Sequence, residues 1–347
     1  MRYSTKSRGN SVPTSSRVAR VTPASGEDSL IARYFRPLAT DPGAFRLDDD
    51  AAALKADGSD IVVTTDAIVE GVHFLPDDPP DTIARKALRV NLSDLAAKGA
   101  TPAGFVLTLA LRKADEAWLK PFAAALGEDA AQFGCPLLGG DTVSTPGPMM
   151  ISVTAFGRVP DGKMVHRGGA KPGETVMVTG TIGDAALGLA VLKGGKVHSA
   201  SDAAARTLLI GRYRVPQPRV GLAEIIREHA SAAMDVSDGL AGDLAKLCGV
   251  SGISAAIDLG SIPLSDAARD LLSRGVIELE TLIAGGDDYE ILCTIPEDRV
   301  EAFTRAALAA GVAVSSIGTV VAGTSAPKFI DRQGREIALE RLSYSHF

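Results

Sequence analysis

Asp48, Asp49 and Asp50 stand side by side in the stretch from Leu47 to Phe74, ahead of a β-branched apolar run that closes on Thr64-Thr65-Asp66. Carboxylates this dense beside core-forming residues constrain any fold, since two like charges about 4 Å apart repel by roughly 4 kcal/mol at an effective dielectric near 20. The chain must splay them into water or meet them with cations. It has no cationic surplus to spend: 36 basic residues face 42 acidic ones, a formal net charge of -6. That balance argues against a general nucleic-acid binder, and an acidic protein that binds phosphates needs bridging cations.

The 347 residues predict two domains at about 150 residues each. Pro160-Asp161-Gly162 is the expected linker, dividing residues 26–158 from 161–347. Residues 1–20 hold Arg2, Lys6, Arg8, Arg17 and Arg20 with five serines and no acid, so residues 1–25 are expected to be a disordered basic tail. Cys135, Cys248 and Cys293 lie far apart in apolar surroundings. They are expected to be reduced core residues of a cytoplasmic protein. No run of about 18 apolar residues predicts a membrane span, and the N-terminus lacks the apolar block of a secretory signal.

Periodicity predicts a strand over 60–65, with Asp66 at its end, and a helix from the cap Asp81 to about Lys98, terminated by Gly99. The second half of that helix is apolar nearly all round, so Asp94 inside it is expected either to bind metal or ligand or to sit exposed on a helix edge. Strands are expected over 103–111, 135–138 and 149–156, and a helix over 116–133. The short strand runs into Gly139-Gly140-Asp141-Thr142, which reads as an ordinary turn or as a place where backbone approaches a ligand. Beyond the linker, strand 175–178, turn 180–183 and helix 184–192 could seat a phosphate at the helix N-terminus. Ser237 or Asp238 is a natural N-cap for a helix built on Leu240, Leu244 and Leu247, which leaves Asp235 unexplained. No P-loop, kinase catalytic loop or serine-hydrolase elbow occurs, so any bound ATP is held by another design.

Together Asp49, Asp50, Asp66, Asp94, Asp141, Asp235 and Asp238 fall in loops, at strand ends or on an apolar helix face. Hard oxygen donors without a histidine or cysteine cluster point to magnesium rather than zinc, and carboxylate-bound magnesium most often partners substrate phosphates. The expectation is a magnesium-dependent enzyme acting on phosphorylated substrates.

The chain also resembles a known family. Ser29-Leu30-Ile31-Ala32-Arg33-Tyr34-Phe35, Gly71-Val72-His73-Phe74-Leu75-Pro76, Lys86-Ala87-Leu88 and Asn91 through Ala97 carry the resemblance. It continues through Gly139 to Thr142, Gly169 to Gly173, Asp235 to Leu240, Asp288-Tyr289-Glu290 and the terminal Tyr344, His346 and Phe347. In this order, over residues 26 to 347, the motifs resemble the thiamine-monophosphate kinases, within the superfamily of aminoimidazole ribonucleotide synthetase and selenophosphate synthetase. The resemblance implies an α/β fold of the α+β kind, as two domains: an N-terminal ATP- and magnesium-binding domain whose sheets pair across a homodimer, and a C-terminal α/β domain completing the nucleotide and substrate sites. It implies phosphoryl transfer from ATP to thiamine monophosphate, with several Mg2+ ions and a K+ requirement left open. By motif, Asp50, Thr64, Thr65, Asp66, Asp94, Asp141 and Asp235 resemble magnesium ligands, with Asp238 at a further ion. Gly140, Asp141, Arg167 and Ser237 resemble nucleotide contacts, and His73, Asp287 and Tyr344 fall where thiamine phosphate is held. Asp66, Asp94, Asp141 and Arg167 are the expected catalytic set.

Two departures stand out. Asp48 occupies the place of a family glycine, and Asp287 that of a glutamate, one methylene shorter. The rival readings are another ATP-dependent enzyme of the superfamily, or a binder of nucleotide and thiamine phosphate without turnover. A selenophosphate synthetase is disfavoured because the N-terminal segment has no cysteine.

Overall fold

The computed structural model describes residues 30–47, 54, 57–339 and 342–343. The expected tail, Asp48 to Asp50, and Tyr344 with His346 and Phe347 lie outside the described residues.

Ahead of the first sheet lie a π-helical turn (Ile31–Phe35) and two 3-10 turns (Arg36–Leu38 and Pro42–Leu47). The first domain then comprises β1 (Ser59–Val69), α1 (Pro80–Ala97), β2 (Thr101–Leu111), α2 (Glu116–Gln132), β3 (Leu137–Ser144) and β4 (Met150–Pro160). The strand order is β1-β4-β2-β3, antiparallel except for the parallel β2–β3 pair. Gly139-Gly140-Asp141 is therefore strand and not turn. Gly140 is required by its neighbour, because a Cβ there would stand 1.9 Å from the Leu107 carbonyl oxygen.

α1 begins one residue before the expected cap: Pro80 sits in its first turn, where a missing N–H costs nothing, and Asp81 follows it there without capping. It ends as expected at Gly99, whose φ of +69° few other residues adopt.

The second domain carries β5 (Thr175–Thr179), α3 (Asp184–Leu192), α4 (Lys196–Ala200), α5 (Ala203–Arg214), α6 (Ala223–His229), β6 (Ala232–Asp235), α7 (Leu240–Ser251) and β7 (Ser254–Asp258). α8 (Asp266–Ser273), α9 (Leu279–Ile283), β8 (Ile291–Ile295), α10 (Val300–Ala309), β9 (Val314–Val321), β10 (Lys328–Ile330) and β11 (Glu336–Ile337) complete it. Its seven strands run in the order β11-β10-β7-β9-β5-β8-β6, antiparallel except for β7–β10.

Each sheet buries its inner face under helices. Leu88, Leu92 and Leu95 of α1 pack with Phe105, Leu109, Phe122 and Val153 in the first core. Ala96 and Ala97, at the end of the same helix, pack instead with Met177, Ala233, Ile291 and Cys293 of the second sheet. α1 is thus held between two domains, which explains why its second half is apolar nearly all round.

All three cysteines are free and buried. Burial pushes the Cys135 and Cys293 thiols up to about 12 and Cys248 up to about 11. Since the thiolate is the reactive form, iodoacetamide at pH 8 is expected to leave the native chain unlabelled and to label all three thiols in urea. Because these folded-state values exceed the ordinary thiol range, their contribution to stability is complete below that range and declines as pH rises through it toward 11. Rapid native labelling of any one cysteine would contradict the packing described.

Candidate active site

A cleft of about 580 Å³ opens between the domains. Asp66 and His73 line it from the first domain, and Ser237, Asp238 and Asp287 from the second. Five residues singled out in the sequence, spread over more than 220 positions, thus share one cavity.

Alternation along β1 turns Thr64 and Asp66 toward α1 and Thr65 to the opposite face. The Thr64 hydroxyl donates to Asp94 Oδ2. Thr65 donates to the Val153 carbonyl at 3.2 Å and accepts from Thr154 at 2.9 Å, so its hydroxyl lies away from the other acids. Asp66 has its carboxyl pushed up to about 6, first by the low-dielectric cleft around it, then by Asp94 and Asp238. Asp235, buried at the end of β6, is held well above the usual carboxylate range by burial first and then by Asp94. Four acids from β1, α1, β6 and the loop after it therefore feel one another's charge.

Neither Ser237 nor Asp238 caps α7. Gly239, with φ of +114°, holds the N-cap position, and Asp243 Oδ2 accepts the Asp238 amide at 3.0 Å. Both side chains are thereby left at the cleft. Lys246 Nζ bridges Asp238 and Asp243, at 2.5 and 2.9 Å. The α3 N-terminus, a candidate phosphate seat in the sequence, is taken by the Asp288 carboxylate, which accepts from the Gly183 amide at 2.7 Å and the Ala185 amide at 3.3 Å.

Gly140 and Asp141 lie exposed on β3, in register with Leu107 and Thr108. Among the described residues Asp141 makes no hydrogen bond or ion pair with the Asp66 group. Arg167 is exposed in the segment between β4 and β5. It is close enough to lower Lys98, whose ammonium is depressed first by burial while Asp235 and Asp94 oppose the shift.

The sequence had signalled no role for several residues that shape the site. Lys86 is 1% exposed and donates to the His73 carbonyl at 2.9 Å and to Asp287 Oδ2 at 2.8 Å. Apart from its place in the Lys86-Ala87-Leu88 motif, its readable signal was a charged residue between Ile83 and Val90 on an apolar helix face. Lys98, four residues after Asp94, donates to the Ala233 carbonyl at 2.7 Å. Glu290, 0% exposed, accepts from Arg212 at 2.7 Å, twice from Arg219, and from Thr179 at 2.6 Å.

Residues 48–159 match the AIR synthase related protein N-terminal domain and residues 171–327 its C-terminal domain. A thiamine-monophosphate kinase of Caulobacter vibrioides is 46% identical over 322 residues, spanning 91% of this chain and 89% of that protein. The chain belongs to the thiamine-monophosphate kinase family. Its fold superposes on the crystal structure of thiamine-monophosphate kinase from Stenotrophomonas maltophilia with a TM-score of 0.78 at 36% identity, covering 89% of this chain and 96% of that one. A second structure, AaThiL complexed with AMPPCP and TMP, superposes with a TM-score of 0.73 at 28% identity over 86% of this chain and 91% of that one. The α/β architecture of two AIR synthase-related domains expected from the motifs is the one observed.

The carboxylates of the cleft offer a donor set that fits the magnesium expected from the sequence. Asp66, Asp94, Asp235 and Asp238 are hard oxygen donors whose mutual repulsion a divalent cation would relieve. Among the described residues no three acids, histidines or cysteines converge as a ready metal cage. A magnesium ion held by these carboxylates would take the rest of its coordination from water and substrate phosphates.

Proposed function

We propose that this chain transfers the γ-phosphoryl group of ATP to thiamine monophosphate, yielding thiamine diphosphate and ADP, in the cleft between its domains. The observation that carries this reading is the likeness to thiamine-monophosphate kinases along nearly the whole chain, with Asp66, His73, Ser237, Asp238 and Asp287 meeting in one cavity.

The acceptor is a phosphate monoester whose second pKa is about 6, so near pH 7 it is already an anionic nucleophile. The chain therefore needs no general base for it. The obstacle is repulsion between two polyanions in an acidic cleft, and the residues suited to hold magnesium are Asp50, Thr64, Asp66, Asp94, Asp141, Asp235 and Asp238. Thr65, with its hydroxyl turned away, is left its carbonyl for that role. Bound magnesium supplies charge neutralisation and alignment for direct in-line transfer. Gly140, Asp141, Arg167 and Ser237 take the nucleotide, Arg167 adding positive charge at its phosphates. His73, Asp287 and Tyr344 take thiamine phosphate. Val69 N–H donates to His73 Nδ1 at 3.1 Å, which makes Nδ1 an acceptor and puts the ring proton on Nε2.

The domains are taken as residues 26–158 and 161–347. The protein works in the cytoplasm as a homodimer through β1, an edge strand whose outer face exposes Ile61 by 40% and Val63 by 57%. No helix among the described residues is long and apolar enough to cross a membrane.

Incubation of the purified chain with ATP, magnesium and thiamine monophosphate, followed by chromatography of thiamine esters, is expected to show thiamine diphosphate, and chelation by EDTA to stop its formation. Binding of both ligands without product would favour the non-catalytic reading.

A further inference from the structure

We infer that Lys86 is a positioning residue for the thiamine-phosphate end of the cleft, an assignment that rests on the proposed kinase reading and deepens it. Lys86 does not line the cavity. It lies behind the wall, on α1, and joins three segments that do.

Its ammonium reaches the His73 carbonyl of the turn after β1, at 2.9 Å, and Asp287 Oδ2 in the loop before β8, at 2.8 Å. It also stands 4.0 Å from the centroid of the Tyr213 ring on α5. Tyr213 in turn donates its hydroxyl to the same His73 carbonyl, at 3.3 Å. The other oxygen of Asp287, Oδ1, accepts from the Tyr289 hydroxyl at 3.2 Å. Both carboxylate oxygens of Asp287 are thus tethered, and the carboxylate keeps a fixed direction.

That direction is costly to maintain. Asp287 and Tyr289 have φ of +73° and +51°, a left-handed backbone state that persists only where the surroundings hold it. The two backbone amides are pinned on the second domain, Asp287 to the Ser237 carbonyl and Tyr289 to the Val236 carbonyl, both at 2.8 Å, and the Tyr289 carbonyl accepts a longer bond from Ser93 on α1, at 3.5 Å. Lys86 ties the Asp287 carboxylate itself to the first domain. Burying an ammonium on an apolar helix face is expensive, and an apolar side chain of the same length would serve packing alone at least as well. What only the ammonium does is hold Asp287 and His73 in register across the domain gap.

The test is a kinetic comparison of Lys86→Met, Lys86→Arg and the unaltered chain, with titration calorimetry of thiamine monophosphate and of ATP. K86M is expected to raise the KM and Kd for thiamine monophosphate at least about tenfold while the KM for ATP stays within about twofold, with K86R in between. Equal changes for both substrates, or none, in a folded K86M would overturn the assignment. Should K86M fail to fold, Tyr289→Phe decides, because it releases the other Asp287 oxygen without burying a charge. A rise of about threefold or more confined to thiamine monophosphate supports the tether, and unchanged values overturn it. If the unaltered chain neither binds nor phosphorylates thiamine monophosphate, the kinase reading falls and Lys86 with it. If the unaltered chain turns over and K86M matches it, only the Lys86 assignment falls.

Discussion

Asp94→Asn is expected to lower turnover of thiamine monophosphate by about 10²–10³-fold or more, the loss seen when one preorganised electrostatic group is removed from a reaction centre. The same substitution is expected to leave the metal-free chain folded and somewhat more resistant to urea. The two effects have one cause. Asp94 is half-buried, accepts a hydrogen bond from Thr64, and raises the carboxyls of both Asp66 and Asp235 by its charge. Amide for carboxylate keeps the shape and the Thr64 contact while removing that repulsion. A cluster that is unfavourable by itself becomes useful only when a divalent cation and two phosphates enter it, the usual exchange of stability for function at a site. Unaltered turnover in the folded variant, or a marked loss of stability with turnover retained, would refute the shared role of these acids.

Glu290→Ala is expected to cost about 3–5 kcal/mol of stability in urea unfolding, because removing one partner leaves buried charges uncompensated. Glu290 is 0% exposed and binds two guanidiniums that are themselves 13% and 21% exposed at the side chain. Arg212 comes from α5 and Arg219 from the segment beyond it, so the carboxylate gathers three parts of the second domain at the start of β8. Gly180 packs against it so closely that an added Cβ would stand 2.1 Å from Oε1. The complementary expectation separates pairing from packing. Replacing Glu290, Arg212 and Arg219 together by leucine, methionine and methionine is expected to recover most of the loss, since fully apolar replacement of a buried ion cluster is often neutral. Arg212 also donates to the Asp288 carbonyl at 3.3 Å, so this triple variant should still bind thiamine monophosphate poorly. Recovery of binding along with stability would show that the network has no part in placing the Asp287 loop.

Local periodicity was enough to read the strand and helix sequence of the first domain, since β-branched runs such as Ile61-Val62-Val63 and the glycine stop at Gly99 act within a few residues. The acids were legible too. Asp66, Asp94, Asp235 and Asp238 each break an apolar pattern, and a costly charge in such a place signals a use for it. Where local rules erred, a distant partner had changed the balance. Gly139-Gly140 resembles a turn by composition, yet pairing with β2 makes it strand. Ser237 and Asp238 satisfy the capping rule, yet Gly239 takes the N-cap. The α3 N-terminus could seat a phosphate, yet Asp288, more than a hundred residues downstream, occupies it.

By itself, then, the sequence determined the chemistry: oxygen donors in number, no soft-metal cluster, and motifs ordered as in one kinase family. Only the tertiary structure decided which residues hold that chemistry in place. Lys86 and Asp287, Glu290 and Arg219, and Thr64 and Asp94 are pairs formed between elements far apart in the chain. The energy of such a pair depends on a separation of a few ångströms after folding, which no spacing along the sequence encodes. The dense acidic stretch before β1 illustrates the division. Its charge called for water or cations around it from the outset, but alternation on the folded strand that follows is what turned Thr64 and Asp66 toward α1 and Thr65 away.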